Sequence, residues 1–298
     1  MRPLRRGDRY AFVSGMKKSG TNWASALIAT HPDAVTQGEL HLDVLREALH
    51  AYAAPGWIPV NGDDVETVWP DVARLVLGVR RRTQVATAGR AARRVLLVDH
   101  TPGPAVLHLG ASARYVHIVR DVRDVIVSDT FHSMRLGEYP PGVAADQAEH
   151  VAAWRADPWY FSAHPDRLLH PAEVTRLART WVDVVTSALD LAERRPELLL
   201  VMRYEDLHAD VLGGRRSLLA FLGLDPAGAP ADIDRMLRPG FDGRGERPAE
   251  FNRKGAVGDH RTYLSGADAD EVERIAGALL RRLGYGEPPG PPQAGGTR

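Results

Sequence analysis

The sequence predicts an α/β fold, with a central parallel β-sheet flanked by helices. Three observations predict it. Short apolar and β-branched runs bounded by charge or glycine recur at residues 10–14, 95–98, 115–119 and 198–204, and runs of this kind mark strands buried on both faces. Helical patterns lie between and after them, at residues 21–30, 40–52, 125–134, 177–193, 215–222 and 271–283, and strands alternating with helices build a parallel, helix-covered sheet. The chain has 298 residues, 44% of them hydrophobic and none cysteine, enough to bury a large core without disulfides or a structural metal. We expect one domain over residues 1–285, followed by a Pro- and Gly-rich disordered tail at 286–298.

Composition narrows the function. The absence of cysteine excludes thiolate zinc sites, iron–sulfur clusters and cysteine nucleophiles. Charge balances at 38 basic and 38 acidic residues, which argues against bulk nucleic-acid binding. The basic start is followed by an apolar stretch that ends at Gly15, Lys17 and Lys18, too soon for a secretory signal. No apolar run approaches the ~18 residues of a membrane span, so the expectation is a cytoplasmic protein of open oligomeric state. Only three of the basic residues are lysine, namely Lys17, Lys18 and Lys254, the rest being arginine. A compact ammonium fits where one phosphate or leaving oxygen must be approached closely, and all three lie in glycine-containing loops. The arginine-rich composition hints at a bacterial source.

Taken in order, the first strand runs into Gly15-Met16-Lys17-Lys18-Ser19-Gly20-Thr21-Asn22-Trp23 and then into a helix. Backbone amides of a glycine loop and a first helical turn converge on one point and suit a phosphate. The glycines are spaced as in a nucleoside-triphosphate P-loop, but Thr21 and Asn22 stand where Lys-Ser/Thr should follow. The strand before residue 99 closes in Asp99-His100-Thr101-Pro102, at the sheet end where α/β folds place ligands. The strand at 115–119 ends in Arg120, with Ser128 on the next helix. An arginine and a hydroxyl so placed can share an anion, while Arg123 and Asp124 are expected to form surface pairs worth little.

Residues 133–174 carry five prolines among Trp154, Trp159, Tyr160 and Phe161. We expect an irregular cap whose aromatic residues either line an acceptor pocket or pack the cap onto the domain. Near the C-terminal end, Arg253-Lys254-Gly255-Ala256-Val257-Gly258 sets two cations beside two glycines, a second plausible oxyanion cradle.

These segments together resemble the sulfotransferases that use 3′-phosphoadenosine 5′-phosphosulfate (PAPS), over most of the chain. Lys18 to Trp23 resembles the 5′-phosphosulfate loop PKSGTTW, with Lys17 replacing the proline. Arg120 to Ser128 resembles the 3′-phosphate motif. The stretch at 202–207, MRYEDL, is similar to the strand followed by Tyr-Glu-Asp, whose tyrosine, here Tyr204, lies near the adenine. The stretch at 253–260 resembles RKGxxGDW, with His260 where tryptophan is common. The resemblance implies a P-loop NTPase-like sulfotransferase fold, with cofactor contacts from Lys17, Lys18, Ser19, Gly20, Thr21, Asn22, Trp23, Arg120, Ser128, Tyr204, Arg253, Lys254 and Gly255. It sets Trp23 against adenine, although an aromatic inside an amphipathic helix ordinarily reads as core.

The implied reaction is in-line transfer of a sulfuryl group from PAPS to a hydroxyl or amine, releasing adenosine 3′,5′-bisphosphate without a metal. Lys18 is expected at the leaving oxygen. Two residues are candidates for the base that takes the acceptor proton. His100 stands where the family carries Lys-Thr-Pro or Lys-Thr-His and is favoured; Glu39, with His41 beside it, resembles the glutamate that glycan sulfotransferases deliver after the first helix. The acceptor is expected to be a small molecule, lipid or glycan. Two other classes stay open: a P-loop kinase or NTPase, in which Asp99 would hold magnesium for ATP, and a non-catalytic nucleotide-binding protein.

Overall fold

The computed structural model describes residues 9–36, 38–88, 96–102, 106–110, 113–231, 233, 246–247, 249–250 and 253–286, with side chains described except at 9, 84–88 and 100–102. Five parallel strands form the sheet: β1 (Arg9–Gly15), β2 (Ala34–Thr36), β3 (Leu96–Pro102), β4 (Ala113–Val119) and β5 (Leu199–Arg203). Their order is β2-β3-β1-β4-β5. β1 is central, with Val13 opposite His100 on one side and Val116 on the other. The chain builds β2 and β3 to one side of β1 and then crosses to β4 and β5. The strand order therefore reverses beside β1, and the crevice at the C-terminal strand ends there is where ligands of such sheets bind.

Alternation along the strands assigns the two faces. Ala11, Val13, Leu96, Val98, Val116 and Ile118 bury against α1 (Thr21–Ala29), α9 (Tyr204–Ala209) and α10 (Val211–Phe221). Tyr10, Phe12, Leu97 and Tyr115 face the other way, toward α2 (Leu42–Ala53), α3 (Gly62–Ala88) and the end of α8 (Pro171–Arg194). A third cluster packs α4 (Val122–Leu136), α8 and α12 (Gly266–Arg282) together with Trp154 and Phe161.

The fold is the expected α/β sheet, with additions. β2 has three residues, too few to show a period. α3 carries Pro70 in its interior, a residue that ordinarily ends a helical pattern. Val65, Trp69, Ala73 and Leu77, four apart and all buried, mark its core face.

The segment at 133–174 is not irregular. It folds as α5 (Pro141–Asp146), α6 (Ala148–Ala156), α7 (Tyr160–Ala163) and a 3-10 turn at Pro165–Arg167, and Pro171 opens α8. Pro141, Pro165 and Pro171 each sit at a helix start, where a missing N–H costs nothing and the fixed φ is already helical. α11 (His260–Tyr263) completes the set. Val95 and residues 287–298, most of the expected tail, lie outside the described residues.

Candidate active site

Three loops meet at the C-terminal ends of β1 and β4. The first, residues 15–20, is shaped by its glycines. A Cβ on Gly15 would stand 2.5 Å from the Ile118 carbonyl oxygen, and one on Gly20 would stand 2.5 Å from the Tyr204 ring. Gly20 is also left-handed, at φ 95, and precedes α1 with no side-chain cap and no acidic residue in the first turn. The first amides of α1, beginning at Thr21, Asn22 and Trp23, therefore keep their partial positive charge for an outside anion. Ser19 is buried, and its hydroxyl has no partner among the described residues, as expected of a group that awaits a ligand oxygen. Lys18 adopts φ 71, a left-handed backbone that costs a non-glycine residue ~1–2 kcal/mol.

Arg120 joins this loop to the other two. Its Nη1 donates to the Lys18 carbonyl (3.1 Å) and its Nη2 to the Ala256 carbonyl (2.8 Å). Its guanidinium lies 4.6 Å over the Tyr204 ring, and the Trp181 indole holds its backbone carbonyl at 2.9 Å. Two of the five guanidinium donors are thus spent on carbonyls, and Nε has no partner among the described residues. Tyr204 also reaches the third loop, donating its hydroxyl to the Gly255 carbonyl at 3.0 Å. Ser128, half-buried on α4, follows within the same helix.

Asp124 is where the sequence misleads. It is 1% exposed, and its carboxylate accepts from the Gly258 amide (2.7 Å), the His260 amide (2.9 Å) and the His260 ring (2.7 Å). Arg123 is buried too, paired with Asp121, the α4 N-cap, and donating to the Tyr285 carbonyl. The expected surface pairs are instead internal braces, because α4 is covered on nearly all sides and its first turn faces the loops. Glu205 acts likewise, accepting from the Asp121 amide (3.0 Å) and the Tyr285 hydroxyl (2.9 Å). An acid four residues after Arg120 was the signal for Asp124.

The cations of the third loop are committed to carboxylates. Arg253 pairs with Glu246 and Asp259 and lies 4.3 Å over the Phe131 ring, while Lys254 stands 2.7 Å from Asp259 and 3.4 Å from Glu246. An anion that uses them must share them with these acids. Lys17 donates to Glu138 at 2.9 Å. Burial brings Lys18 down to about 8 from the ordinary lysine value, with Asp129 pulling the other way.

The remaining predicted residues divide. Trp23 is buried, edge-on to Tyr204 at 5.5 Å between ring centroids. Glu39 and His41 pair at 3.1 Å and are exposed, with His41 at φ 47 just before α2. Their segment is tied to β3 by the Leu40 amide, which donates to Asp99 at 3.0 Å. His100 lies on β3, but its side chain is outside the described residues. Trp154 and Phe161 are core, Tyr160 is half-buried against His150 and His164, and Trp159 is exposed. Lys18, Gly20, Trp23, Gly255 and Ala256 converge on Arg120 and Tyr204, while Lys17, Arg253 and Lys254 are turned to carboxylates.

The sulfotransferase domain family matches the chain over residues 8–284. The chain belongs to that family. This sulfotransferase domain is also similar to several solved structures. One is mouse sulfotransferase SULT7A1 complexed with PAP, at 16% identity over 94% of this chain and 86% of that one, with a TM-score of 0.49. Another is the sulfotransferase domain of the Synechococcus PCC 7002 olefin synthase, at 17% identity over 94% and 98%, with a TM-score of 0.48. A third is retinol dehydratase in complex with androsterone and inactive cofactor PAP, at 17% identity over 94% and 82%, with a TM-score of 0.45. A search of curated proteins gives no match.

For this sulfotransferase, the alternative of a magnesium-dependent kinase finds no support. The lysine that should follow Gly20 is absent, and the Asp99 carboxylate is engaged by the Leu40 amide. Among the described residues no helix is long and apolar enough to cross a membrane.

Proposed function

We propose that the three loops hold PAPS at its two ends. The amides of α1, with Ser19, Lys17 and Lys18, take the 5′-phosphosulfate. Arg120, Ser128, Arg253, Lys254 and Gly255 take the 3′-phosphate, and Trp23 and Tyr204 form the wall nearest the adenine. The observation that carries this reading is Arg120, which ties the Lys18 carbonyl to the Ala256 carbonyl and so fixes two anion-binding loops at one separation. The cradles around Gly15 and Gly20, the uncapped α1 and the partnerless Ser19 hydroxyl fit such a ligand.

PAPS supplies the sulfuryl group and a phosphate leaving group. The chain supplies position and charge, as expected of a transfer with little covalent work for the protein. The acceptor oxygen or nitrogen bonds to sulfur as the bond from sulfur to the bridging oxygen breaks, and Lys18 meets the electron pair left on that oxygen. His100, from β3, takes the acceptor proton, with Glu39 as the other candidate. The acceptor is a small molecule, lipid or glycan. It meets the exposed His41 and Trp159 and the half-buried Tyr160, whereas Trp154 and Phe161 support the cap from within.

Calorimetric titration with adenosine 3′,5′-bisphosphate, beside ATP with magnesium, tests the reading. Micromolar binding of the bisphosphate, lost in Lys18→Ala and in Arg120→Ala, is the expected result. Binding of magnesium–ATP alone overturns it.

A further inference from the structure

Asp129 follows Ser128 on α4 and is 4% exposed. It sits in a helix whose neighbouring side chains Val125, Ile126, Phe131 and Met134 belong to the apolar core. Its Oδ1 has no hydrogen-bond donor among the described residues, and Lys17 Nζ lies 4.0 Å from it. A carboxylate buried in this way costs several kcal/mol unless charge compensates it, and packing alone favours an apolar side chain there. The groups that face it are Lys17 and Lys18 from the first loop and Glu173 and Arg176 from α8. Arg176 is already spent, since its guanidinium grips Glu173 at 2.6 and 3.0 Å. Burial raises the Asp129 carboxyl above the usual aspartate range, and Lys17, Arg176 and Lys18 oppose it, Lys17 while also donating to Glu138; the two lysines are the cations not closed on Glu173.

We infer that Asp129 is a positioning residue for the transfer step, the buried counter-charge that seats Lys17 and keeps Lys18 cationic under the leaving oxygen. The inference rests on the role proposed for Lys18. Around Lys18, burial and the charges of Arg135, Lys17 and Arg120 all favour the neutral amine, and Asp129 opposes them. His132 and Glu138 complete the charged surroundings of the pair, and burial together with both lysines holds the His132 ring down to about 4, neutral at working pH. Tyr139, beside Glu173 and Asp129, is pushed up by burial and stays a neutral phenol. Lys17 stands where the motif that this loop resembles has a proline, which carries no charge to answer Asp129.

The chain holds only three lysines, so side-chain ¹³Cε signals can be followed one by one, assigned with Lys17→Arg and Lys254→Arg. In the full chain, Asp129→Asn is expected to lower the titration midpoint of Lys18 by about one pH unit while leaving Lys254 unmoved. Lys17→Met, which removes a like charge and spares Asp129, is expected to raise it. Thermal unfolding of Asp129→Leu is expected at or above the temperature of the parent. An unmoved Lys18 midpoint in Asp129→Asn overturns the inference. Adding adenosine 3′,5′-bisphosphate to the parent protein separates the two readings, because a Lys18 signal that ignores it overturns the role of Lys18 itself, whatever Asp129 does.

Discussion

The Asp124 carboxylate receives the Nδ1–H of His260 at 2.7 Å, across 136 residues of sequence. It is an acceptor only, so the ring must donate. Burial raises its pKa, but the His260 side-chain and backbone hydrogen bonds and the Arg120 charge outweigh burial and hold it below the usual aspartate range. The pair pins the third loop to the first turn of α4.

Removing one partner leaves the others buried and unanswered. Asp124→Ala is expected to lower stability by about 3 kcal/mol and to weaken bisphosphate binding, both readable by denaturant melts and calorimetry. Because the folded pKa is depressed, the stability Asp124 confers is present above the unfolded value of 3.8 and is lost as pH falls through the folded one. Asp124→Asn should therefore flatten the loss of stability on acidification below about pH 4.

In the proposed mechanism Lys18 meets the leaving oxygen as a cation, and burial brings it to about 8. Turnover is expected to fall as pH rises through about 8, through loss of that charge. Lys18→Ala should reduce turnover about 10²–10³-fold, the range for losing one preorganised donor. A rate profile flat from pH 7 to 10 would contradict this.

In the proposed site, Glu246 competes with the 3′-phosphate for Arg253 and Lys254, with which it pairs in the structure. Glu246→Gln is expected to tighten bisphosphate binding about fivefold, equivalent to ~1 kcal/mol of partly buried ion pair. The gain should shrink at high salt.

The base is tested by paired variants. His100→Ala is expected to lower turnover at least about 10²-fold with bisphosphate affinity kept, and Glu39→Gln to have a smaller effect. The reverse ranking would transfer the base to Glu39.

Much of this was legible from the chain because strand, glycine loop and helix follow one another locally at residues 9–29, and Arg120 lies at a strand end. The braces were less so. Asp124 and Glu205 look like ordinary charges until the fold pairs them, since their partners, His260 and Tyr285, come from far along the sequence. Asp129 could have been suspected as the one acid within VIVSDTF, an otherwise uncharged run. The helices at 141–163 were hidden because proline signals a break in isolation but a start when it occupies the first turn. α3 was hidden by Pro70 for the opposite reason.

Tyr204 and Arg120 between them touch loops that begin at residues 15, 120 and 253. The proposed nucleotide crevice is therefore assembled from segments far apart in the chain. A chain emerging from the ribosome has the sheet and the α1 amides long before it has the final wall, so tight bisphosphate capture should appear only once the segment beyond residue 253 has docked. A fragment ending earlier would keep its strands yet grip only one end of the ligand, and ligand protection against proteolysis would then report the moment at which this domain closes.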